Sequence, residues 1–150
     1  MIKKTHIIIH HSWLPKDSKF LDWGGIRRHH KSKGWRDIGY HFGIEGYNYG
    51  FDNDMITLDY EILAGRMLTE SGAHCKQQGM NRKSIGICLL GNFDLKPPPP
   101  DQWDLAVKLT RSLMTIFDIS KENVDPHSKY ATYKSCPGEK FDFDLFRSEL

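Results

Sequence analysis

The run Thr5-His6-Ile7-Ile8-Ile9-His10 is apolar at consecutive positions and rich in β-branched residues, which predicts a buried strand. Ser84 to Leu90, with Ile85, Ile87 and Leu89 around Gly86 and Cys88, predicts a central strand covered on both faces. Gly39 to Ile44 reads as another strand, and Met55 to Leu63, where apolar and polar residues alternate, as a further one. Glu45-Gly46-Tyr47-Asn48 reads as a hairpin turn. A different period governs Asp101 to Asp118. There Leu105, Leu109, Leu113 and Phe117, with Ala106 and Ile116, recur at helical spacing, and the rigid Pro97–Pro100 stretch introduces the helix. Gly25 to Lys33 predicts a short basic helix stopped by Gly34, and Asp142 to Leu150 a last short helix. Leu14 to Asp22 reads as a loop.

Strands and helices therefore interleave. The fold class expected is α/β, a single domain over 1–150 with a central mixed β-sheet flanked by helices. In such sheets functional groups gather at strand ends, which makes His10, at the end of the first strand, well placed. No internal repeat or domain linker interrupts the chain.

Composition narrows the function classes. A chain of 150 residues is large enough to bury a core without disulfides. Its formal charge of +2 is too weak to argue for nucleic acid, which is not expected as a partner, and is compatible with an anionic polymer as substrate. Cys75, Cys88 and Cys136 are odd in number and lack a disulfide-scaffold spacing, which fits reduced thiols. Met1-Ile2-Lys3-Lys4-Thr5 runs straight into a strand, so no signal peptide is expected, and no apolar stretch approaches the ~18 residues of a membrane span. The protein is thus expected to be made in the cytoplasm, with no membrane insertion.

The chemistry concentrates in two places. His127, Lys134 and Cys136 share one late segment, and His10 and His11 end the first strand. Two imidazoles and a thiolate make a three-ligand Zn²⁺ set with the fourth position free for water; such a site loads poorly in acid. Strand parity puts His10 on the face of Ile8 and His11 on that of Ile7 and Ile9, which does not choose between them. Two other readings of these residues stay open: a Cys136 nucleophile with His127 or His10 as base, and ordinary buried cysteine with surface histidines. There is no Gly-x-Ser-x-Gly elbow and no Walker loop. The His29-His30 pair reads as an exposed helix face.

Four blocks occur in order: Ile7-Ile8-Ile9-His10-His11-Ser12, Gly34-Trp35-Arg36-Asp37-Ile38-Gly39-Tyr40-His41-Phe42, Asn81 to Gly91, and His127 with Lys134-Ser135-Cys136-Pro137. Together they resemble the type 2 N-acetylmuramoyl-L-alanine amidases, which include small amidase-type phage lysozymes and the peptidoglycan recognition proteins. The resemblance covers nearly the whole chain. The segment between Gly46 and Ala64 is longer than in the shortest phage relatives, and the stretch between His127 and Lys134 matches less closely.

What the resemblance implies is specific. His10, His127 and Cys136 match the metal ligands, giving one Zn²⁺ per chain, and Tyr40 and Lys134 match catalytic positions beside the metal. His41 has no ligand counterpart and reads as structural. His74 resembles a histidine near the cleft in relatives and, with Trp13, is a candidate substrate contact; Trp35 and Tyr47 offer further aromatic faces. The implied reaction is zinc-dependent hydrolysis of the amide between the lactyl group of N-acetylmuramic acid and L-alanine in peptidoglycan. In that reaction zinc lowers the pKa of its bound water from ~15.7 toward about 7, zinc and the Lys134 ammonium stabilise the developing oxyanion, and the Tyr40 hydroxyl holds the water or the tetrahedral oxygen. The organisation implied is an endolysin-like bacteriolytic monomer without a separate cell-wall-binding module, acting on the wall after release. The alternative is a catalytically inactive peptidoglycan-binding module, which predicts an incomplete site.

Overall fold

One mixed sheet organises the chain, in a computed structural model that describes residues 2–13, 22–49 and 57–150, with backbone alone for 47–49, 57 and 58. Its strands are β1 (His6–His11), β2 (Phe42–Tyr49), β3 (Thr57–Ala64), β4 (Ser84–Leu89) and β5 (Val124–Pro126), in the spatial order β3-β2-β4-β1-β5. β1 pairs in parallel with both β4 and β5, β2 in parallel with β4, and only β2 and β3 run antiparallel. The two continuous apolar runs became the inner strands β4 and β1. All of β4, and β1 from Ile7 onward, is buried, as expected for strands covered on both faces.

The helices are α1 (Trp23–Ser32), α2 (Met80–Lys83), α3 (Pro100–Phe117) and α4 (Phe143–Ser148). α3 covers one face, packing Ala106, Val107 and Leu113 with Ile7, Ile9, Ile44, Ile85, Ile87 and Leu89. Buried Gln102 binds this helix to the sheet, its Nε2 donating to the carbonyls of Ile44 and Leu90 at 3.0 Å each. The opposite face carries two smaller clusters. Trp23 and Ile26 of α1 pack with Ile38 and Cys88, and Ile8 packs with Cys75 and Met80.

Three expectations need correction. Glu45-Gly46-Tyr47-Asn48 is not a turn: it continues β2, paired through Glu45↔Glu61 to Asn48↔Leu58. Gly46 suggested a turn, but ladder pairing across eight residues outweighs the entropy cost of a strand glycine. The connection between β2 and β3 lies outside the described residues, as do all but Asp22 of the loop expected over 14–22 and the start of the Met55 strand. The second correction concerns α3. Its buried stripe runs through Gln102, Ala106, Val107, Thr110 and Leu113, whereas Ile116 is 71% exposed. The third concerns the His29-His30 pair, whose second member is half-buried and bonded, as described below.

β5 was not foreseen. Three residues are too few to show a period, yet they carry buried Asp125, which accepts from Lys129 Nζ at 2.8 Å, Tyr130 Oη at 2.7 Å and Arg147 Nη2 at 3.4 Å. This carboxylate ties the segment after β5 to α4. Lys4 is a second buried anchor: its Nζ donates to the carbonyls of Glu70, Arg82 and Ser84 at 2.8, 3.2 and 3.1 Å. Burial lowers its pKa to about 8.

Candidate active site

Register brings the first two histidines together. β1 and β5 are adjacent, with Ile9 opposite Pro126, so the next residues, His10 and His127, emerge side by side. Their ring centroids are 4.4 Å apart. His127 opens a short 3₁₀ turn, His127–Lys129, and the Ser128 N–H donates to the Cys136 carbonyl at 2.8 Å, closing the segment back on itself. Asp94 fixes the far side of that loop, accepting from Ser135 Oγ at 3.0 Å and the Glu139 N–H at 2.9 Å. Gly138 is required there: its φ is +122°, and a Cβ would lie 2.4 Å from the Phe93 carbonyl carbon. The result places Cys136 Sγ 3.7 Å from His10 Nδ1. Donor atoms of His10, His127 and Cys136 all lie within 4.8 Å of one another, and all three residues are buried.

Electrostatics suit this group to a cation. Burial holds His10 well below the usual imidazole range, with His74, His127 and Lys134 adding to the effect. Burial and then Lys134 bring His127 to about 4. Both rings are thus neutral at pH 7 and offer lone pairs. The Cys136 thiol is pushed up to about 12 by burial, against the opposing influence of the His11 backbone N–H and Lys134. Cation binding at this group therefore releases a thiol proton. Two neutral imidazoles and one sulfur, with no carboxylate among them, fit a three-donor Zn²⁺ site better than a hard-cation site.

The site opens into a cleft of about 710 Å³. Tyr40 stands on its wall with its ring 5.1 Å from that of His10. Burial raises its phenol well above 10, helped by Cys88 and Cys136 and by a hydrogen bond to the Cys88 thiol. Tyr40 therefore remains a hydroxyl donor. Lys134 is exposed on the rim, its Nζ 5.9 Å from the Tyr133 ring centroid. Trp13, also at the rim, is 58% exposed and holds a φ of +47°. Trp35 also lines the cleft, at 37% exposure; the Tyr47 side chain lies outside the described residues.

The remaining histidines separate cleanly. His11 turns to the other side, where its Nδ1 accepts from the Phe93 N–H at 3.1 Å. His41 Nδ1 accepts from the Gly86 N–H at 3.0 Å, and Lys4 Nζ lies 3.1 Å from its Nε2. His30 accepts from the Gly39 N–H at 3.1 Å and packs on Trp35 at 4.5 Å, so it is not a solvated residue of an exposed helix face. The hydrogen bond to Gly39 joins residues nine apart across a turn, which helical period cannot reveal. His74 is buried, with Nδ1 3.0 Å from His10 Nε2. Cys88 reads from sequence only as a strand residue and a reduced thiol, and nothing there singles out Asp94 or Asp125; each acts through a neighbour brought close only by the fold.

These histidines make stability acid-sensitive. His11, His30, His41 and His127 are each held at about 4, chiefly by burial. Between pH 6.5 and about 4 the unfolded chain binds more protons than the folded one. Their contribution is therefore complete above pH 6.5 and is lost as pH falls toward 4. Thermal melts at constant ionic strength should show Tm falling through that window; a flat Tm from pH 7 to 4 would contradict the burial of these rings.

A donor cluster of two histidines and a cysteine, set at the ends of parallel strands and open to a cleft, marks the candidate site of this α/β protein. The chain belongs to the N-acetylmuramoyl-L-alanine amidase family, whose model matches residues 3–139. It is 36% identical to the endolysin of Escherichia phage T7 over 148 residues, covering 97% of this chain and 85% of that one. It is also 31% identical to peptidoglycan-recognition protein LB of Drosophila melanogaster over 146 residues, 89% of this chain and 54% of that protein. It thus spans about half of the latter. Among solved structures, the N-acetylmuramoyl-L-alanine amidase LysC from Clostridium intestinale URNW superposes with a TM-score of 0.76 at 26% identity, covering 99% of this chain and 85% of LysC. The family and the mixed α/β fold expected from the four sequence blocks are both found.

Proposed function

We propose that the protein is a zinc-dependent N-acetylmuramoyl-L-alanine amidase, an endolysin-like enzyme that hydrolyses the bond between N-acetylmuramic acid and L-alanine in peptidoglycan. The observation that carries this reading is the convergence of His10, His127 and Cys136 donors within 4.8 Å at a cleft also lined by Tyr40 and Lys134. A phage endolysin aligned over 97% of the chain supports the same reading. One Zn²⁺ per chain would be held by those three side chains. Such an ion, when bound, polarises a carbonyl and lowers the pKa of water toward about 7.

The chain's own groups supply the rest. Lys134 brings a fixed cation to the rim, where it stabilises negative charge growing on the lactyl carbonyl oxygen. Tyr40 keeps its proton and offers a hydroxyl donor at the same wall. Among the described residues that line the cleft there is no carboxylate, while Lys33 and Lys134 are both present. That wall complements the free carboxylates of a peptide stem. Trp13 and Trp35 present apolar faces to sugar or peptide. A cysteine nucleophile is disfavoured, because a thiol held at about 12 forms almost no thiolate at neutral pH.

The enzyme acts as a monomeric domain over 1–150 on the cell wall after release from the cytoplasm. Among the described residues no helix is long and apolar enough to cross a membrane. Incubation with purified peptidoglycan should expose new N-terminal L-alanine, read by amine labelling of the released peptides. Sedimentation with the polymer without any new N-terminus would instead establish a binding-only module.

A further inference from the structure

We propose that His74 is a positioning residue: it fixes the protonation pattern of His10 so that Nδ1 is the nitrogen His10 offers to the metal. The inference rests on the zinc reading of His10, His127 and Cys136 given above, but its core concerns a hydrogen-bond chain present without metal. His74 Nδ1 lies 3.0 Å from His10 Nε2, and His74 Nε2 lies 3.5 Å from Ser84 Oγ. Both ring nitrogens of His74 are therefore engaged with protein atoms.

The direction of the chain follows from its far end. Ser84 Oγ lies 2.6 Å from the Met80 carbonyl, which can only accept, so the single hydroxyl hydrogen is spent there. Toward His74 the Ser84 oxygen is then an acceptor, and His74 Nε2 carries the hydrogen. A neutral imidazole has one N–H, so His74 Nδ1 holds a lone pair and accepts from Nε2–H of His10. That in turn leaves the lone pair of His10 on Nδ1, the nitrogen 3.7 Å from Cys136 Sγ. The tautomer of a candidate ligand is thus set from the buried side, as outer partners set the orientation of metal-binding histidines in general.

The surroundings hold His74 for this task. Asn81 Oδ1 accepts from the backbone N–H groups of His74 and Cys75 at 2.8 and 2.7 Å, fixing the backbone. A Cβ at Gly72 would sit 2.4 Å from His74 Cδ2, and one at Gly86 2.6 Å from Cδ2 and Cγ. The two glycines leave a slot that the ring fills. At 8% exposure, His74 has little surface with which to meet substrate. This assigns it a different role from the substrate contact expected from sequence.

Two measurements test the proposal. Long-range ¹H–¹⁵N NMR on the metal-free protein at neutral pH should show His10 and His74 both as Nε2–H tautomers. An Nδ1–H signal for His10 overturns the assignment, whatever the protein does with zinc. Zinc affinity is then read by competition with a chromophoric chelator in wild type, His74→Leu and His74→Asn. The leucine variant should bind about 10–100-fold more weakly, and asparagine, whose Oδ1 takes the place of Nδ1 as acceptor, should recover most of that loss. Wild-type affinity in His74→Leu together with a raised KM makes His74 a substrate contact and sinks the proposal. If the leucine variant does not fold, wild-type affinity without the tautomer pattern in the native protein still refutes it. Failure of the wild type itself to bind one zinc would count against the metal reading, while the tautomer result would stand independently.

Discussion

Replacing Cys136 by serine should eliminate stoichiometric zinc and reduce amide cleavage by about 10⁴-fold or more, the scale seen when a central catalytic group is removed. The expectation follows from the donor set. Cys136 is its sole group that becomes anionic on binding, and a serine hydroxyl does not ionise in reach of neutral pH. Two neutral imidazoles alone would remain. Because Cys136 is buried and the substitution removes little volume, the fold should persist, so metal content and activity can be read on native protein. His10→Ala and His127→Ala should lose zinc in the same way. His11→Ala should not: its ring accepts the Phe93 N–H on the far side of β1, and losing that bond costs about 1–3 kcal/mol of stability. Metal analysis of the purified variants decides the matter. Retention of one zinc in Cys136→Ser, or equal metal loss in His10→Ala and His11→Ala, would overturn the ligand assignment.

The second large effect is expected at Lys134. Lys134→Ala should lower kcat by about 10²–10³, the usual loss for one donor to a developing oxyanion, while zinc stoichiometry and Tm stay near wild type. Exposure and a contact with the Tyr133 ring, the side-chain contact found among the described residues, give it almost no structural role. Its charge reaches inward nonetheless, since it depresses both His10 and His127. Lys134→Arg, which keeps the charge but not its placement, should recover part of the rate. Tyr40→Phe should behave like Lys134→Ala, losing most activity with zinc retained, because it removes only a hydroxyl. Zinc loss in either variant would make the residue part of the metal site's architecture rather than of the reaction.

Strong periodic signals gave the frame of this fold. Ile7-Ile8-Ile9 and Ile85 to Leu89 could hardly be anything but inner strands, and they are β1 and β4. Where pairing rather than pattern decides, the sequence misled or was silent. Gly46 sits inside a strand because eight ladder pairs hold it there, and β5 exists only because Val124 to Pro126 lie beside β1. The site divides in the same way. His127, Lys134 and Cys136 are close in sequence and were visible as a group, and the family resemblance linked them to His10 and Tyr40. The contacts behind them are not legible there, although the resemblance already places His74 near the cleft. His74 meets His10 across 64 positions, Phe93 meets His11 across 82, and Asp94 meets Ser135 across 41. No local spacing encodes such pairs; they arise from strand order.

The central claim is tested most directly by a mass-spectrometric digest of purified peptidoglycan with native, zinc-stripped and zinc-restored protein. The account predicts peptides beginning at L-alanine and glycan strands with free lactyl groups from the native protein, no such products after verified zinc removal, and their return with added Zn²⁺. Undiminished release of L-alanine-terminated peptides by protein shown to hold no zinc would contradict it.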